Sequence, residues 1–334
     1  MKRFTKILCV VEPDSSSKDA LIHAATIAND NQAELTIATV VKKPKFASKI
    51  LKSASEMEKL LDQTAALKRS AVASWCAEVC PNLNSTIEVF TGIKFIQVIQ
   101  QVLVNNYDLV IKNADTYDWK DRLFVSEDMH LLRKCPCPVL ILKPGADSPF
   151  RSVLATVDVM EDPSDKEEYQ VQQQLNSQVL QYASLFALTE LTEFHVGSVW
   201  EAFGEEFLRY SAFSDMKEGA VDQYVEEARA ECASKLAALV DEMKSLIGAD
   251  AFNYLKPKTH IEKGVPEKEI PEMTQKYAID LVVMGTVART GIPGFIIGNT
   301  AESILGQLQC SVLAVKPQGF ISPVSAETTT KSTD

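Results

Sequence analysis

The sequence predicts an α/β protein of two tandem domains, each an open, doubly wound parallel sheet of five strands. Three observations support this. The 334-residue chain exceeds the size at which one hydrophobic core usually keeps growing. Apolar, strand-like runs alternate with amphipathic helical segments. Finally, segments of the first half return in the same order in the second.

The internal repeat consists of three matched segments. TKILCVVEP near the N-terminus corresponds to RSVLATVDV from residue 151. YDLVIKN at 107–113 corresponds to IDLVVMG at 279–285, and CPVLILKPG at 137–145 corresponds to CSVLAVKPQG at 310–319. Three matches in one order indicate two copies of the same domain.

The alternation of patterns predicts the individual elements of each copy. In the first half, strands are expected near 5–11, 34–41, 85–90, 108–112 and 138–143, with helices near 16–30, 53–80, 93–106 and 126–134. In the second half, strands are expected near 151–157, 190–199, 258–262, 280–284 and 311–316, with helices near 167–187, 218–247, 266–277 and 299–308. Runs such as Leu109-Val110-Ile111 are apolar on both faces, which is typical of central parallel strands covered by helices on each side.

Composition shifts define the domain boundaries. We expect domains at 1–146 and 151–318, joined by KPGADSPFR, whose proline and glycine suit a linker. The aromatic-rich insertion at 199–219 either covers a pocket or packs against a neighbouring helix. The tail at 321–334 is small, polar and rich in Ser and Thr, so we expect it to be disordered.

Charge and hydropathy exclude several classes of function. A net charge of -11 argues against a direct nucleic-acid partner, because no basic excess is present to replace the counterions around phosphates. No segment approaches the roughly 20 apolar residues of a membrane span. The N-terminal apolar run is too short for a signal peptide, so a cytoplasmic location is expected. The seven cysteines are expected to be reduced structural thiols, without a metal site.

The second half contains a candidate ligand site. Ligands of open α/β sheets bind beyond the carboxyl ends of the strands, which brings together Thr156, Asp158, Met284, Gly285 and the loop that follows. Glycines at 285, 291, 294 and 298 precede a helix that starts at Asn299-Thr300. Such glycines let backbone N–H groups approach a phosphate, and Arg289 supplies a cation. The alternative is that Asn299 or Thr300 simply caps the helix.

The first half lacks this loop. Its counterpart, LVIKNADTYDWKDRLFVSEDMHLL, contains no glycine. Its cations Lys112, Lys120 and Arg122 are opposed by Asp115, Asp118 and Asp121. We therefore expect no nucleotide there.

No catalytic group of residues stands out. The chain has no GxSxG elbow, HExxH motif or phosphate-binding GxxxxGK[ST] loop. The four histidines are dispersed and are expected to be structural, although His195 is predicted towards the ligand-facing end of its strand. The site is accordingly predicted to bind without catalytic residues.

The segments DLVVMGTVARTGIPGFIIGNTAESIL and SEDMHLLRKCPCPVLILKP, with the duplicated five-strand pattern, resemble the universal stress protein family in its tandem form. The resemblance implies an adenine nucleotide alpha hydrolase-like fold with strand order 3-2-1-4-5. It also implies an intramolecular pseudo-dimer paired through the fifth strands, 138–143 and 311–316, with room for a further homodimer. The implied role is cytoplasmic stress response, including resistance to starvation and DNA damage and effects on motility and adhesion.

ATP-binding members of the family carry G-x-x-G, nine residues and G-[S/T] after the fourth strand, and an Asp after the first. On that pattern Asp158 faces the ribose and adenine, and Val196 and Met284 flank the base. Gly285, Gly298 and the amides of Asn299 and Thr300 meet the phosphates.

The loop residues Val287, Ala288 and Arg289 complete the site that the resemblance implies. Two positions depart from the family pattern, since Ala288 replaces the second glycine and Asn299 replaces the Ser or Thr. In the first half, Glu12 or Asp14 stands near the position of the first-strand Asp.

Three functions remain open from the sequence. The first is a non-enzymatic stress protein whose second domain holds ATP or another nucleotide-containing ligand and whose conformation informs a protein partner. In a variant of this, a pocket lined by Phe295, Ile296 and Ile297 accepts a partly apolar ligand. The second is a slow ATPase, which the absence of a Walker lysine and of clear magnesium ligands disfavours. The third is an interaction scaffold without a small ligand.

Overall fold

The structure is a computed structural model. It describes residues 3–13, 18–43, 53–115, 126–160, 166–188, 192–210, 219–286 and 298–326. Each half alternates strands with helices, as the sequence predicts.

The elements of the first half are β1 (Lys6–Val10), α1 (Asp19–Asn31), β2 (Glu34–Val41), α2 (Ala54–Val79), β3 (Ser85–Thr91), α3 (Lys94–Asn105), β4 (Leu109–Asn113), α4 (Ser126–Lys134) and β5 (Val139–Leu142). Those of the second half are β6 (Ser152–Thr156), α5 (Lys166–Ala187), β7 (Glu193–Trp200), α6 (Glu205–Tyr210), α7 (Ala220–Ile247), α8 (Ala249–Leu255), β8 (Lys258–Lys263), α9 (Pro266–Lys276), β9 (Leu281–Gly285), α10 (Asn299–Leu305) and β10 (Ser311–Val315).

The described strands form one sheet in the order β3-β2-β1-β4-β5-β10-β9-β6-β7-β8. Within each half the strands are parallel and follow the order 3-2-1-4-5. The halves meet where β5 and β10 pair antiparallel, with Leu313 opposite Leu140. The predicted fold and the pairing of the fifth strands are therefore confirmed.

Helices cover both faces of this sheet, because successive strand side chains point to opposite sides. Ile7 and Cys9 face a core shared with α1, α2, α5 and α7. Leu8 and Val10 face a second core, shared with α3, α4, α9 and α10. Each core contains residues of both halves, so the hydrophobic layers continue across the junction.

In the described part of the insertion, α6 contacts α7 through the Arg209–Asp222 ion pair, but most of the aromatic rings are exposed. Trp200 is buried, but Phe203, Phe207 and Tyr210, on and just before the short helix α6, are 92%, 72% and 84% exposed. These three rings therefore do not pack as a core-forming segment, and residues 211–218 lie outside the described residues. Helix α8 was not predicted from the sequence. It begins after Gly248, a residue with a φ of 90°. Of the tail, residues 327–334 lie outside the described residues, while Val324 packs against the second core.

His195 of β7 and His260 of β8 form a contact at the β8 edge of the sheet, and we call them the histidine pair. His195 is the third residue of β7, far from the carboxyl end of that strand, so its predicted position near the ligand was wrong. His195 Nδ1 lies 2.9 Å from His260 Nε2, and His195 Nε2 lies 3.4 Å from Glu193 Oε2. Because the carboxylate accepts, neutral His195 carries its proton on Nε2 and accepts from His260. Tyr277 stacks on His260, with ring centroids 4.0 Å apart.

The described residues contain no membrane-spanning helix and no metal-binding group of side chains. No described helix is long and apolar enough to cross a membrane. Within the same ranges, no group of His, Cys, Asp and Glu side chains is arranged to hold a metal ion. All seven cysteines are described, and all are free thiols.

Truncating the junction should destabilise the protein. Leu140→Ala removes a fully buried side chain opposite Leu313, and we expect a loss of about 2–5 kcal/mol in the free energy of unfolding. Urea unfolding monitored by circular dichroism measures it. Leu67→Ala, at a leucine that is 73% exposed, is the control and should change stability by less than about 0.5 kcal/mol. Equal losses in the two variants would contradict the role of the junction.

The histidine pair should make the fold acid-sensitive. Burial, followed by the charge of His195, lowers the pKa of His260 to about 4, and burial also lowers the pKa of His195. Unfolded histidines titrate at about 6.5, so the unfolded chain binds more protons between these values and stability falls as the pH drops through this window. His260→Gln keeps a donor to His195 without titrating. Unfolding measured across this window should depend less on pH in the variant, and an unchanged dependence would refute this account.

Candidate functional site

A cavity of about 250 Å³ lies at the carboxyl ends of β6, β7 and β9. Helix α5 forms one wall, and α9 and α10 form the other. The strands β7 and β9 flank β6. The chain runs outwards on one side from β6 to β7 and on the other side from β9 to β10, so the strand order reverses here and a crevice opens. We call this space the second-half cavity.

Six of the predicted site residues line the second-half cavity, and they come from separate segments of the chain. They are Thr156, Asp158, Met284, Gly285, Gly298 and Thr300. The topology of the sheet brings them together, as the carboxyl-end rule predicts.

The other five predicted residues are not among the described residues of the cavity wall. Val196 is fully buried in the core under the sheet, because its side chain points to the α5 and α7 face, and Val199 lines the cavity instead. Asn299 is exposed and is not part of the cavity wall. Val287, Ala288 and Arg289 lie outside the described residues, as do Phe295, Ile296 and Ile297.

Several lining residues were missed by the sequence analysis. They are Gln172, Leu175 and Asn176 of α5, Ser198 of β7, Pro266 and Ile270 of α9, and Thr286 after β9. A signal for two of them exists, since Gln172 and Asn176 are four residues apart and so share one face of a helix. Nothing in the sequence places that face towards the ends of the strands.

Asn176 holds the segment that carries Asp158. The Asn176 side chain is 2% exposed, its Oδ1 accepts from the Asp158 N–H at 3.2 Å, and its Nδ2 donates to the Asp158 carbonyl at 2.6 Å. Gln172 Nε2 donates to the same Oδ1 at 3.2 Å. Asp158 Oδ1 accepts from the Met160 N–H at 3.0 Å. This bonding fixes the backbone and presents an exposed carboxylate at the cavity.

Gly285 makes a close contact between strand and helix. A Cβ at this position would lie 2.6 Å from Leu175 Cδ2 and 3.0 Å from Leu175 Cγ. A larger residue would therefore require the Leu175 side chain of α5 to shift. The phosphate role expected for Gly285 stays a prediction.

Helix α10 has no side-chain cap. Its N-cap is Gly298, and neither Asn299 nor Thr300 caps it, since both belong to the helix itself. The capping alternative is therefore wrong. Glu302 in the first turn forms an ion pair with Arg133 of α4, so this end of the cavity wall is tied to the first half.

The described wall of the second-half cavity is largely uncharged. Asp158 is its only carboxylate, and it contains no lysine or arginine among the described residues. Leu175, Val179 and Ile304 supply apolar surface, and threonine hydroxyls supply polar groups. Such a wall suits a flat, apolar ring system with polar edges.

The first half fills the equivalent space with charged side chains. Lys112 pairs with Val10 of β1 as Met284 pairs with Thr156 of β6, so Lys112 occupies the place of Met284. Lys94 likewise begins α3 as Pro266 begins α9.

These lysines form a charge cluster with four carboxylates, those of Glu12, Asp115, Glu127 and Asp128. Lys112 Nζ contacts Asp128 Oδ1 and lies 3.0 Å from Asp115 Oδ1. The Asp115 N–H donates to Asp128 Oδ2 at 2.9 Å. The contacts link the end of β4 to α4.

Lys94 completes the charge cluster from α3. Its Nζ contacts Glu12 Oε1 and lies 3.0 Å from Asp115 Oδ1 and 3.5 Å from Glu127 Oε2. Glu12 follows β1 by two residues, as Asp158 follows β6. The residue in the place of the family aspartate is thus engaged by a lysine of the same chain.

The titration of the charge cluster reflects these pairings. Burial opposes the charged form of Asp115, but Lys112 and Lys94 outweigh it and lower the pKa of that carboxyl. Burial opposes the charge of Lys94 as well, and Asp115 and Glu12 outweigh it and raise its pKa. Asp128 is fully buried, and burial raises its pKa in spite of Lys112. The first half therefore satisfies its own site with ion pairs.

Comparisons with known proteins agree with this duplicated architecture. The chain is 28% identical to a universal stress protein E homolog of Haemophilus influenzae, over 94% of this chain and 98% of that protein. It is 27% identical to universal stress protein E of Escherichia coli K12, over 98% of each chain.

Solved structures share the fold along nearly the whole chain. A functionally unknown protein from Pseudomonas aeruginosa superposes with a TM-score of 0.65 at 24% identity, over 94% of this chain and 93% of that one. A universal stress protein from Archaeoglobus fulgidus gives a TM-score of 0.59 at 17% identity, over 93% and 98%.

The model of the universal stress protein family matches residues 3–143 and 171–316, one match in each half. Two matches, one to each five-stranded unit, account for the internal repeat. The chain therefore belongs to the universal stress protein family, as a member with two tandem domains.

Proposed function

We propose that this protein is a non-enzymatic stress-response protein whose second half holds one small ligand and whose first half holds none. The ligand class that fits best is ATP or another nucleotide-containing molecule, including one with a partly apolar portion. A cytoplasmic location and roles in resistance to starvation and DNA damage, motility and adhesion belong to the same proposal, through the family resemblance.

One observation carries the proposal, which is the difference between the two halves at equivalent positions. In the second half, Met284, Pro266 and Asp158 line an open cavity. In the first half, the equivalent Lys112, Lys94 and Glu12 are engaged in ion pairs. The difference between an open space in one copy and ion pairs at the equivalent positions of the other supports the proposal that only the second half holds a ligand.

The chemistry of the wall supports a nucleoside-like occupant. Met284 and Val199 provide apolar contacts for a base, and the exposed carboxylate of Asp158 accepts from sugar hydroxyls. Thr300 lies on the α10 side, where a phosphate would extend, whereas the Gly298 N–H is engaged by the Thr286 carbonyl at 3.3 Å. The cavity of about 250 Å³ is close to the lower size of small-molecule pockets, roughly 300 Å³.

Catalysis of phosphoryl transfer is disfavoured. Such catalysis depends on cations that neutralise charge on the transferred group, whether lysine, arginine or magnesium. The described cavity wall presents one carboxylate and no basic side chain. Two alternatives are tested directly. Steady release of phosphate from ATP would establish a slow ATPase, and the absence of ligand binding would establish an interaction scaffold.

A tryptophan at position 300 should block ligand binding, whereas a tryptophan at position 299 should not. Thr300→Trp places a large ring in the second-half cavity from an exposed position, so the fold should survive. Calorimetric titration of nucleotide-stripped protein with ATP should show one site per chain, weakened by about tenfold or more in the variant. Asn299→Trp, at an exposed residue outside the cavity wall, should bind as the wild type does. Two sites per chain, or equal loss in both variants, would contradict the proposal.

The carboxylate of Asp158 should recognise the sugar rather than the phosphates. Asp158→Asn keeps an acceptor for the Met160 N–H but removes the charge. Adenosine and ATP should then both bind more weakly, by about threefold to tenfold, as expected for one weakened hydrogen bond to a charged group. Asp250→Asn, in the first turn of α8, serves as the control. Loss confined to ATP would assign Asp158 a different role.

A further inference from the structure

A buried lysine stands behind the second-half cavity without being part of its wall. Lys316 follows β10 directly, and the residue is 5% exposed. Its Nζ donates to the Leu132 carbonyl of α4 at 2.5 Å and to Thr286 Oγ1. A side chain of the second half is thereby held between its own β9 end and a helix of the first half.

Among the described residues, Lys316 contacts neutral groups. The two oxygens that accept from it are uncharged, and the Phe320 ring lies 5.4 Å from Nζ. The titratable group that acts on Lys316 is Cys135 at the end of α4. The charged groups nearest along α4 and α10, Arg133 and Glu302, pair with each other.

This setting disfavours the ammonium form. Burial lowers the pKa of Lys316 to about 7, and Cys135 opposes that shift only in part. A buried lysine with neutral partners loses its proton at a lower pH than an exposed lysine does. An added negative charge nearby would therefore draw a proton onto it.

Thr286 connects Lys316 to the cavity. The Thr286 hydroxyl donates to the Val315 carbonyl at 3.3 Å, which leaves its oxygen to accept from Lys316. Thr286 also lines the second-half cavity, and its carbonyl accepts from the Gly298 N–H at 3.3 Å. The ammonium is thus bonded to a residue of the cavity wall that also contacts Gly298, the N-cap of α10.

We propose that Lys316 is a cationic group behind the described wall of the second-half cavity, and that its charge favours anionic ligands over neutral ones. Lys316 is a specificity-determining residue that does not touch the ligand. This inference rests on the proposed function, because it requires that the cavity holds a ligand. Low dielectric around a buried charge strengthens its field, so Lys316 acts on the cavity from behind Thr286 without contacting the ligand.

Protonation and anion binding are then linked. Above the pKa of Lys316, an ATP-bound protein takes up a proton that the free protein lacks, whereas an adenosine-bound protein does not. The affinity for ATP should therefore fall as the pH rises through the pKa of free Lys316, and the affinity for adenosine should not. The Leu132 carbonyl supports the ammonium, so the first half contributes to the anion preference of the second.

The test compares Lys316→Met with Lys143→Met, since Lys143 holds the equivalent position after β5 and is only half-buried. Titration calorimetry with ATP and with adenosine, at about pH 8 in buffers of different ionisation enthalpy, measures both affinity and proton uptake. We expect Lys316→Met to lower the affinity for ATP by about tenfold and to abolish proton uptake on ATP binding. The affinity for adenosine should change by less than about twofold. Lys143→Met should behave as the wild type.

Folding of the variants is checked in the same experiment. The thermal midpoint of each variant checks that it is folded, and Lys316→Arg, which is charged throughout, should bind ATP without proton uptake. An equal loss of affinity for ATP and adenosine, or no change in either affinity, would overturn the inference while leaving the proposed function intact. Failure of the wild type to bind either compound would overturn both.

Discussion

The antiparallel pairing of β5 with β10 is the contact on which the rest of the molecule depends. Three residue pairs, including Leu140 opposite Leu313, join two parallel sheets into one. A fifth strand left at an edge would expose a row of unpaired N–H and C=O groups. Their pairing lets both hydrophobic layers run through the junction, and it brings α4 of one half beside α10 of the other.

The two halves solve the same structural problem in different ways. Both have a crevice at the carboxyl ends of the central strands, which is a property of the sheet topology. The first half closes it with the charge cluster around Lys112 and Lys94, where each buried charge faces an opposite one. The second half keeps it open, with apolar walls and one exposed carboxylate. Similar backbones therefore present a self-satisfied site and an open one.

Sequence patterns predicted the fold well because strand order and alternation depend on hydrophobic periodicity and on the repeat. The cavity was predicted in part, since Thr156, Asp158, Met284 and Thr300 lie at strand or helix ends whose positions can be read along the chain.

The failures have specific causes. Val196 was misassigned because the face of a strand changes with each residue, and a one-residue error reverses it. The roles of Leu175 and Lys316 depend on packing between elements distant in sequence, which no local pattern encodes.

The covalent linkage of the two halves has a consequence for how such a protein can vary. In a symmetric pair of identical chains, a substitution such as methionine to lysine at the position of Met284 would appear in both sites at once. Here the partner domain is always present at high effective concentration, whatever the protein concentration. Each half is therefore free to change its own site without weakening its association with the other, and one half can specialise in holding a ligand while the other preserves the pairing.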